Sequence, residues 1–329
     1  MGSSIGKRGS LLAPVVISSV AGLGLYVLSA VASDLQTVWA SALLLGATGW
    51  SAALGLSLMN YELRFVRWNG YIARLDHNLP IRAHLGYYLA GLAFTATPGK
   101  VGEAARALYL KRHGVTYTRS LAAYFVERLL DVVAMGFLAR ASAFAFEAVR
   151  WPVILIGALG VGALTLLQNQ HLTRVLGASA SRLRSAKLCH LIDRLQHVLS
   201  AASLLMRWGP LYSGLFLGMV AWGAEGYALH LILGYLNADS TVPLALGVYS
   251  ASVLIGALSF IPGGLGSTEA AMVALLNLFG VETPTAVAAT LICRVATLWF
   301  AVVIGFFAVA ALQVRGDRAT RGNLPNPLS

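Results

Sequence analysis

The chain has 329 residues, of which 57% are apolar and only 11% charged. Soluble domains carry about 25% charged residues, so the composition excludes a soluble enzyme or binding module. The net charge of +11 would suit nucleic acid, but the basic residues fall between apolar runs, where they report membrane topology and contact with anionic lipid instead.

Apolar runs of roughly 20 residues, the length that crosses a hydrocarbon core, recur along the chain. The first covers 11–32. Lys7-Arg8 before it and Ala30-Val31-Ala32-Ser33 at its end mimic a signal peptide, but the run exceeds a usual signal core, so an uncleaved span is expected. Span two covers 38–59, with Trp39 and Tyr61 as interface anchors. A polar loop is expected over 60–83, carrying Arg64, Arg67, Arg74 and Arg82. Residues 85–96 and 101–110 are short apolar arms around Pro98-Gly99. Each arm is too short to cross, and a Pro-Gly pair breaks a helix because proline lacks its donor and glycine tolerates any turn. A re-entrant hairpin is predicted, followed by Lys111-Arg112-His113 and span three over 120–139.

Span four is predicted over 151–167, after a loop with Arg140, Glu147 and Arg150. The basic segment 171–208 has Leu188, Leu191, Leu195 and Leu199 at intervals of three and four, the pattern of an amphipathic helix along the cytoplasmic membrane surface. Span five covers 211–236. A second hairpin runs over 244–278 around Pro262-Gly263-Gly264, span six over 285–312, and a flexible tail over 313–329. Cys189 falls in a basic loop and Cys293 inside a span, so neither a disulfide nor a metal site is expected.

The two hairpins belong to a duplicated unit. Thr97-Pro98-Gly99-Lys100-Val101-Gly102 aligns with Ile261-Pro262-Gly263-Gly264-Leu265-Gly266. Each copy then shows a glutamate (Glu103, Glu269), a Gly-Val pair and, at the same distance from Gly114 and Gly280, an arginine (Arg128, Arg294). Repeat one spans 84–140 and repeat two 244–312. Hairpins return to their own side, so six alternating spans leave only Arg140 and Arg150 opposite the other basic loops. Cationic loops stay cytoplasmic, so both termini are expected inside. The hairpins then start from opposite faces, as in transporters built from inverted repeats with broken helices. The expected fold is an all-α polytopic membrane protein with six transmembrane helices plus two re-entrant helical hairpins in an inverted-topology repeat.

Nine ionisable residues lie inside apolar stretches: Lys100, Glu103, Arg106, Glu127, Arg128, Asp131, Glu225, Glu269 and Arg294. Each costs at least ~2.5–3.5 kcal/mol in a bilayer unless it faces protein or a wet cavity. Arg128 and Arg294 hold matching positions and suit a phosphate; alternatively each only ion-pairs with Glu103, Asp131 or Glu269. Glu103 and Glu269 read either as helix-dipole compensation or as a proton or cation relay. Arg106 reads as an i,i+3 partner of Glu103. Gly99, Gly102, Gly263, Gly264 and Gly266 expose backbone donors that suit an anionic head group, or else serve turns and close packing. Ser267 or Thr268 is the expected cap of the second of these helices. For Glu225 and His230 a local hydrogen bond is expected. No metal-ligand, triad or nucleotide-loop pattern occurs.

Over Pro98-Gly99…Gly102-Glu103…Arg106, Val126-Glu127-Arg128-Leu129-Leu130-Asp131, Pro262-Gly263-Gly264…Gly266…Glu269-Ala270-Ala271 and Arg294, the chain resembles the lysylphosphatidylglycerol synthase transmembrane family. That family includes the flippase-like membrane domain of the multiple peptide resistance factor (MprF). The likeness is sharpest over 97–140 and 258–308. It implies re-entrant helices around a polar cavity through which lipids move between leaflets, with Glu103, Arg106, Arg128, Asp131, Glu269 and Arg294 at the cavity. No cytoplasmic aminoacyl-transfer domain accompanies this sequence, so lipid aminoacylation is not expected of it.

The expectation is therefore a flippase of the bacterial inner membrane, not an enzyme and without cofactor. It would move an anionic phospholipid, an aminoacyl-phospholipid or a polyprenyl-phosphate lipid. Arg128, Arg294, Arg106 and Lys100 would meet the head group, and Glu103, Glu127, Asp131 and Glu269 would couple or ion-pair. No nucleic-acid partner is expected; a homo-oligomer is compatible. Two alternatives stand: a membrane enzyme acting on polyprenyl-phosphate lipid, and a secondary transporter of a soluble anion.

Overall fold

The computed structural model describes residues 35–97, 106–143, 186–259 and 261–322, with isolated positions at 155, 158 and 162. All regular structure among them is helical. Expected span one, span four apart from those three positions, and the first Pro-Gly break fall outside the described residues.

Helices α1 (Leu35–Leu44) and α2 (Gly46–Arg74) meet at 86°, around Gly46 at φ +56. The sequence alone places the end of the second span at 59 and a polar loop over 60–83. Instead α2 runs unbroken to Arg74. The reason is a buried stripe (Asn60, Tyr61, Arg64, Phe65, Trp68, Ile72) at the three-and-four spacing of a helix face. Arg64 in this stripe and Arg67 beside it find acidic partners inside the bundle, so they do not force the chain out into solvent.

Helix α3 (Ile81–Leu92) and the short α4 (Arg106–Leu110) lie side by side, with Tyr87 stacked on Tyr109 at 5.3 Å. They fall where the two arms around the first Pro-Gly break are expected. A 3-10 turn, Lys111–His113, then closes on Gly114 in the left-handed region. Helix α5 (Tyr117–Ala143) follows. Helix α6 (Ala186–Leu205) docks on α5 and buries Ala202 and Leu205. Helices α7 (Trp208–Tyr235) and α8 (Val242–Leu258) come next. The second break holds a 3-10 turn, Pro262–Gly264, and leads into α9 (Ser267–Leu278), which packs back on α8. Helix α10 (Thr283–Arg294) passes through a π turn, Val295–Trp299, into α11 (Phe300–Gly322), beyond the expected end at 312.

At about 1.5 Å per residue, α3 and α9, 12 residues each, reach only about 18 Å, short of a ~30 Å hydrocarbon core. Two described helices are long and apolar enough to cross a membrane, Trp208–Tyr235 and Thr283–Val314, and the bent α1–α2 pair is a third candidate. Helix α5 has the length, but its charges turn inward: Glu127 and Asp131 are buried while Phe125 and Phe137 are exposed. Exposed large apolar side chains such as Phe216 and Phe307 suit contact with lipid tails.

The apolar interior has two lobes. One gathers Trp222, Leu229, Tyr249, Met272 and Ile292 from α7 to α10; the other gathers Phe65, Trp68, Tyr88, Leu130 and Leu205 from α2, α3, α5 and α6. The repeats exchange partners between lobes. The long helix of repeat one, α5, packs on hairpin arm α8 of repeat two, and α11 of repeat two packs on hairpin arm α3 of repeat one. Gly305 permits the second contact: a Cβ there would run into the backbone of Ala93.

Candidate functional site

The second break touches the chain just after α3. Gly263 N donates to Thr97 O at 3.5 Å. The Cα of Ala96 lies 3.2 Å from where a Cβ on Gly263 would stand. Beside this contact opens a chamber of about 280 Å³, at the low end of ligand sites of roughly 300–1,000 Å³ and too small for an entire lipid. Its wall draws on both repeats: Thr95, Thr97, Arg128 and Asp131 from the first, Tyr249, Gly263, Gly264 and Arg294 from the second. Tyr61 and Arg64 of α2, Trp222 and Glu225 of α7, Thr268 of α9 and Thr297 of the π turn add to the polar part.

Behind Arg128 lies a buried charge cluster centred on Glu127. Its carboxylate meets four guanidinium groups: Arg128 at 3.0 Å, Arg106 at 3.4 Å, Arg64 at 3.6 Å and Arg67 at 3.7 Å. Asp131 is shared by Arg67 at 2.6 Å and Arg128 at 3.0 Å. Among the described residues, four guanidinium groups thus share two carboxylates. Three of these arginines are nearly sealed, while the Arg128 side chain keeps 19% of its surface open toward the chamber it lines. Arg64 lies over the Trp222 ring and Arg128 over Tyr124, contacts that favour a cation in a desolvated site.

Arg294 is held differently. Its Nε donates to Glu269 Oε1 at 2.6 Å and its Nη2 to Gly263 O at 2.9 Å. The other oxygen of Glu269 accepts from Gly266 N at 2.7 Å. One carboxylate thereby ties the break, the start of α9 and the end of α10 together. This corrects the expected cap: Glu269 reaches back to Gly266, whereas Ser267 Oγ bonds Ser259 Oγ at 2.8 Å and Thr268 fills the notch left by Gly256. An acid in the first turn reaches the free backbone donors better than a hydroxyl already engaged.

Of the residues singled out from sequence, Arg128, Asp131, Gly263, Gly264 and Arg294 line the chamber. Glu127 and Glu269 stand directly behind, each against a lining arginine. Gly266 caps α9 outside the lining. Arg106, expected at the head group, is not in the wall. It is buried between Trp68 and Tyr88, at 4.5 and 4.7 Å from the ring centres, under Gly91, whose missing Cβ leaves the room. Gly99, Lys100, Gly102 and Glu103 lie outside the described residues. Glu225 accepts from the Tyr249 hydroxyl at 2.5 Å and His230 meets Ser240 at 3.0 Å.

Sequence reasoning missed Arg64 and Arg67, having put both in a loop. The helical spacing of Tyr61, Phe65, Trp68 and Ile72 was the signal that could have found them. Among the described residues no group of three or more His, Cys, Asp or Glu side chains could hold a metal ion.

The sequence profile of the lysylphosphatidylglycerol synthase TM region matches residues 11–305. A UPF0104 membrane protein of Pyrococcus horikoshii is 26% identical over 269 residues, covering 73% of this chain and 80% of that protein. One from Methanothermobacter thermautotrophicus is 24% identical over 265 residues, 74% of this chain and 77% of its own length. A third, from Methanocaldococcus jannaschii, is 26% identical over 229 residues, 63% and 88% respectively.

Proposed function

The chain belongs to the lysylphosphatidylglycerol synthase transmembrane-region family as an integral multi-pass membrane protein, and from that premise we propose that it moves a phosphate-bearing lipid between the leaflets of the cytoplasmic membrane. The reading has six spans, two re-entrant hairpins entering from opposite faces, both termini cytoplasmic, and no covalent step. The carrying observation is the shared chamber: Arg128 of one repeat and Arg294 of the other line one cavity beside the contact of Gly263 with Thr97. The reciprocal packing of α5 on α8 and α11 on α3 supports the inverted pairing, as do arms too short to cross.

A head group carrying one or two oxyanions matches this wall. Guanidinium forks suit phosphate, and Arg128 and Arg294 both reach the wall. The chamber is head-group sized, so the acyl chains would stay in the bilayer while the phosphate moves.

The test is a proteoliposome assay with a fluorescent phosphatidylglycerol and an impermeant quencher. Arg128→Gln removes a charge-assisted contact worth about 1.5–3 kcal/mol, so translocation is expected to slow by about 10- to 100-fold. A folded Arg128→Gln protein that moves the lipid at the unsubstituted rate would sink the assignment.

A further inference from the structure

We propose that Arg294 is a latch on the second hairpin that an oxyanion in the chamber opens; this rests on the translocator reading above. The break it holds is built to move. Gly263, Gly264 and Gly266 sit at φ +62, +65 and +81, in a region where glycine alone is at ease. Besides packing on Gly256 and Ala96 and the hydroxyl of Ser267 on Gly264 O, three polar ties among the described residues hold the turn. The guanidinium grips the Gly263 carbonyl, Glu269 grips the Gly266 amide, and the Gly263 amide reaches Thr97 of the opposite hairpin across a long 3.5 Å.

Arg294 is also in the chamber wall. Of its three nitrogens, Nε is committed to Glu269 and Nη2 to a neutral carbonyl, while Nη1 makes no hydrogen bond among the described residues. An arriving oxyanion finds Nη1 and Nη2 side by side, the fork that binds phosphate or carboxylate through two bonds. A charge-assisted bond is roughly twice as strong as one to a neutral carbonyl. The anion therefore takes Nη2 from Gly263, while Glu269 keeps Nε and holds the arginine in place. Released, the Gly263 tip loses its tie to α10 and parts from Thr97. The same side chain thus reads the cargo and unlocks the tip that closes the chamber, and the trigger is any ligand with two oxygens able to engage a guanidinium fork.

The experiment is amide hydrogen exchange over residues 259–268 in purified protein. Uncharged maltoside micelles are compared with the same micelles plus phosphatidylglycerol, or plus inorganic phosphate. Anion binding is expected to speed exchange of this segment by about tenfold, the ratio expected for about 1.4 kcal/mol of exchanged bonding. Acceleration by phosphatidylglycerol alone identifies the trigger as a lipid head group; acceleration by phosphate alone supports the latch and identifies a free anion. Arg294→Lys keeps the charge without the fork and should exchange fast in all three conditions. Glu269→Gln leaves the Gly263 bond in place and should still respond to the anion. Unchanged exchange in protein that still translocates phosphatidylglycerol in proteoliposomes overturns the latch and spares the translocator. Arg294→Lys responding like the unsubstituted protein overturns it too. Unchanged exchange with no translocation removes both.

Discussion

Replacing Glu127 by glutamine keeps the shape of the side chain and deletes one charge. The carboxylate is fully buried, with guanidinium nitrogens at 3.0 to 3.7 Å. The variant removes the carboxylate that all four guanidinium groups approach and leaves the cluster one positive charge richer. Breaking a buried ion pair from one side costs about 3–5 kcal/mol, because the remaining charge is left desolvated without compensation. At about 2 °C per kcal/mol for a chain of this size, thermal unfolding should fall by roughly 6–10 °C. The assay is tryptophan fluorescence of purified protein in maltoside, and Trp68 and Trp222 report from the two lobes. Arg106→Met added to Glu127→Gln restores the original net charge of the cluster while methionine fills part of the slot between Trp68 and Tyr88. The double variant should therefore melt above Glu127→Gln alone. A shift of less than about 2 °C in the single variant, or a double variant at the sum of two independent losses, would refute the view that Glu127 is the counter-charge of this cluster.

Other substitutions test the frame. Gly305→Val places a side chain against the Ala93 backbone and should lower stability by at least the ~1–3 kcal/mol of an overpacked core, read as lost monodisperse yield. Gly223→Ala, with nothing within 4 Å of the added carbon, should leave yield unchanged or raise melting slightly, since alanine is about 1 kcal/mol the better helix former. Cys293 is fully buried. In a Cys189→Ser background it should resist N-ethylmaleimide until the protein is denatured; labelling of folded protein would mean that the packing around α10 opens.

The second hairpin was legible because its signal is local. Proline and glycine dictate a break wherever they fall, and Pro262–Gly264 is where the chain turns. The pairing of Arg128 with Arg294 was legible as a repeat in the sequence, since equal spacing from Gly114 and Gly280 implies equal places in each unit. The charge cluster was not. Arg64 and Arg67 look like loop residues until Glu127 and Asp131 are known to lie opposite them, and those partners stand far away along the chain. Arg106 misled for a related reason: its aromatic sandwich is assembled from α2 and α3, and nothing near it in sequence announces Trp68 and Tyr88. Local chemistry reveals breaks and repeats, whereas the destination of a buried charge depends on contacts that only the folded bundle supplies.

The placement of Arg67 in α2 also bears on how the nascent protein enters the membrane. Its acidic partner Asp131 is 64 residues downstream, so α2 leaves the ribosome well before its counter-charges exist. At roughly 5–20 residues per second the wait is about 3 to 13 s, during which two arginines would each cost a lipid-exposed helix at least ~2.5–3.5 kcal/mol. Helix α2 must therefore be sheltered by the insertion machinery, or stay at the interface, until α5 arrives and the two go into the bilayer as a pair.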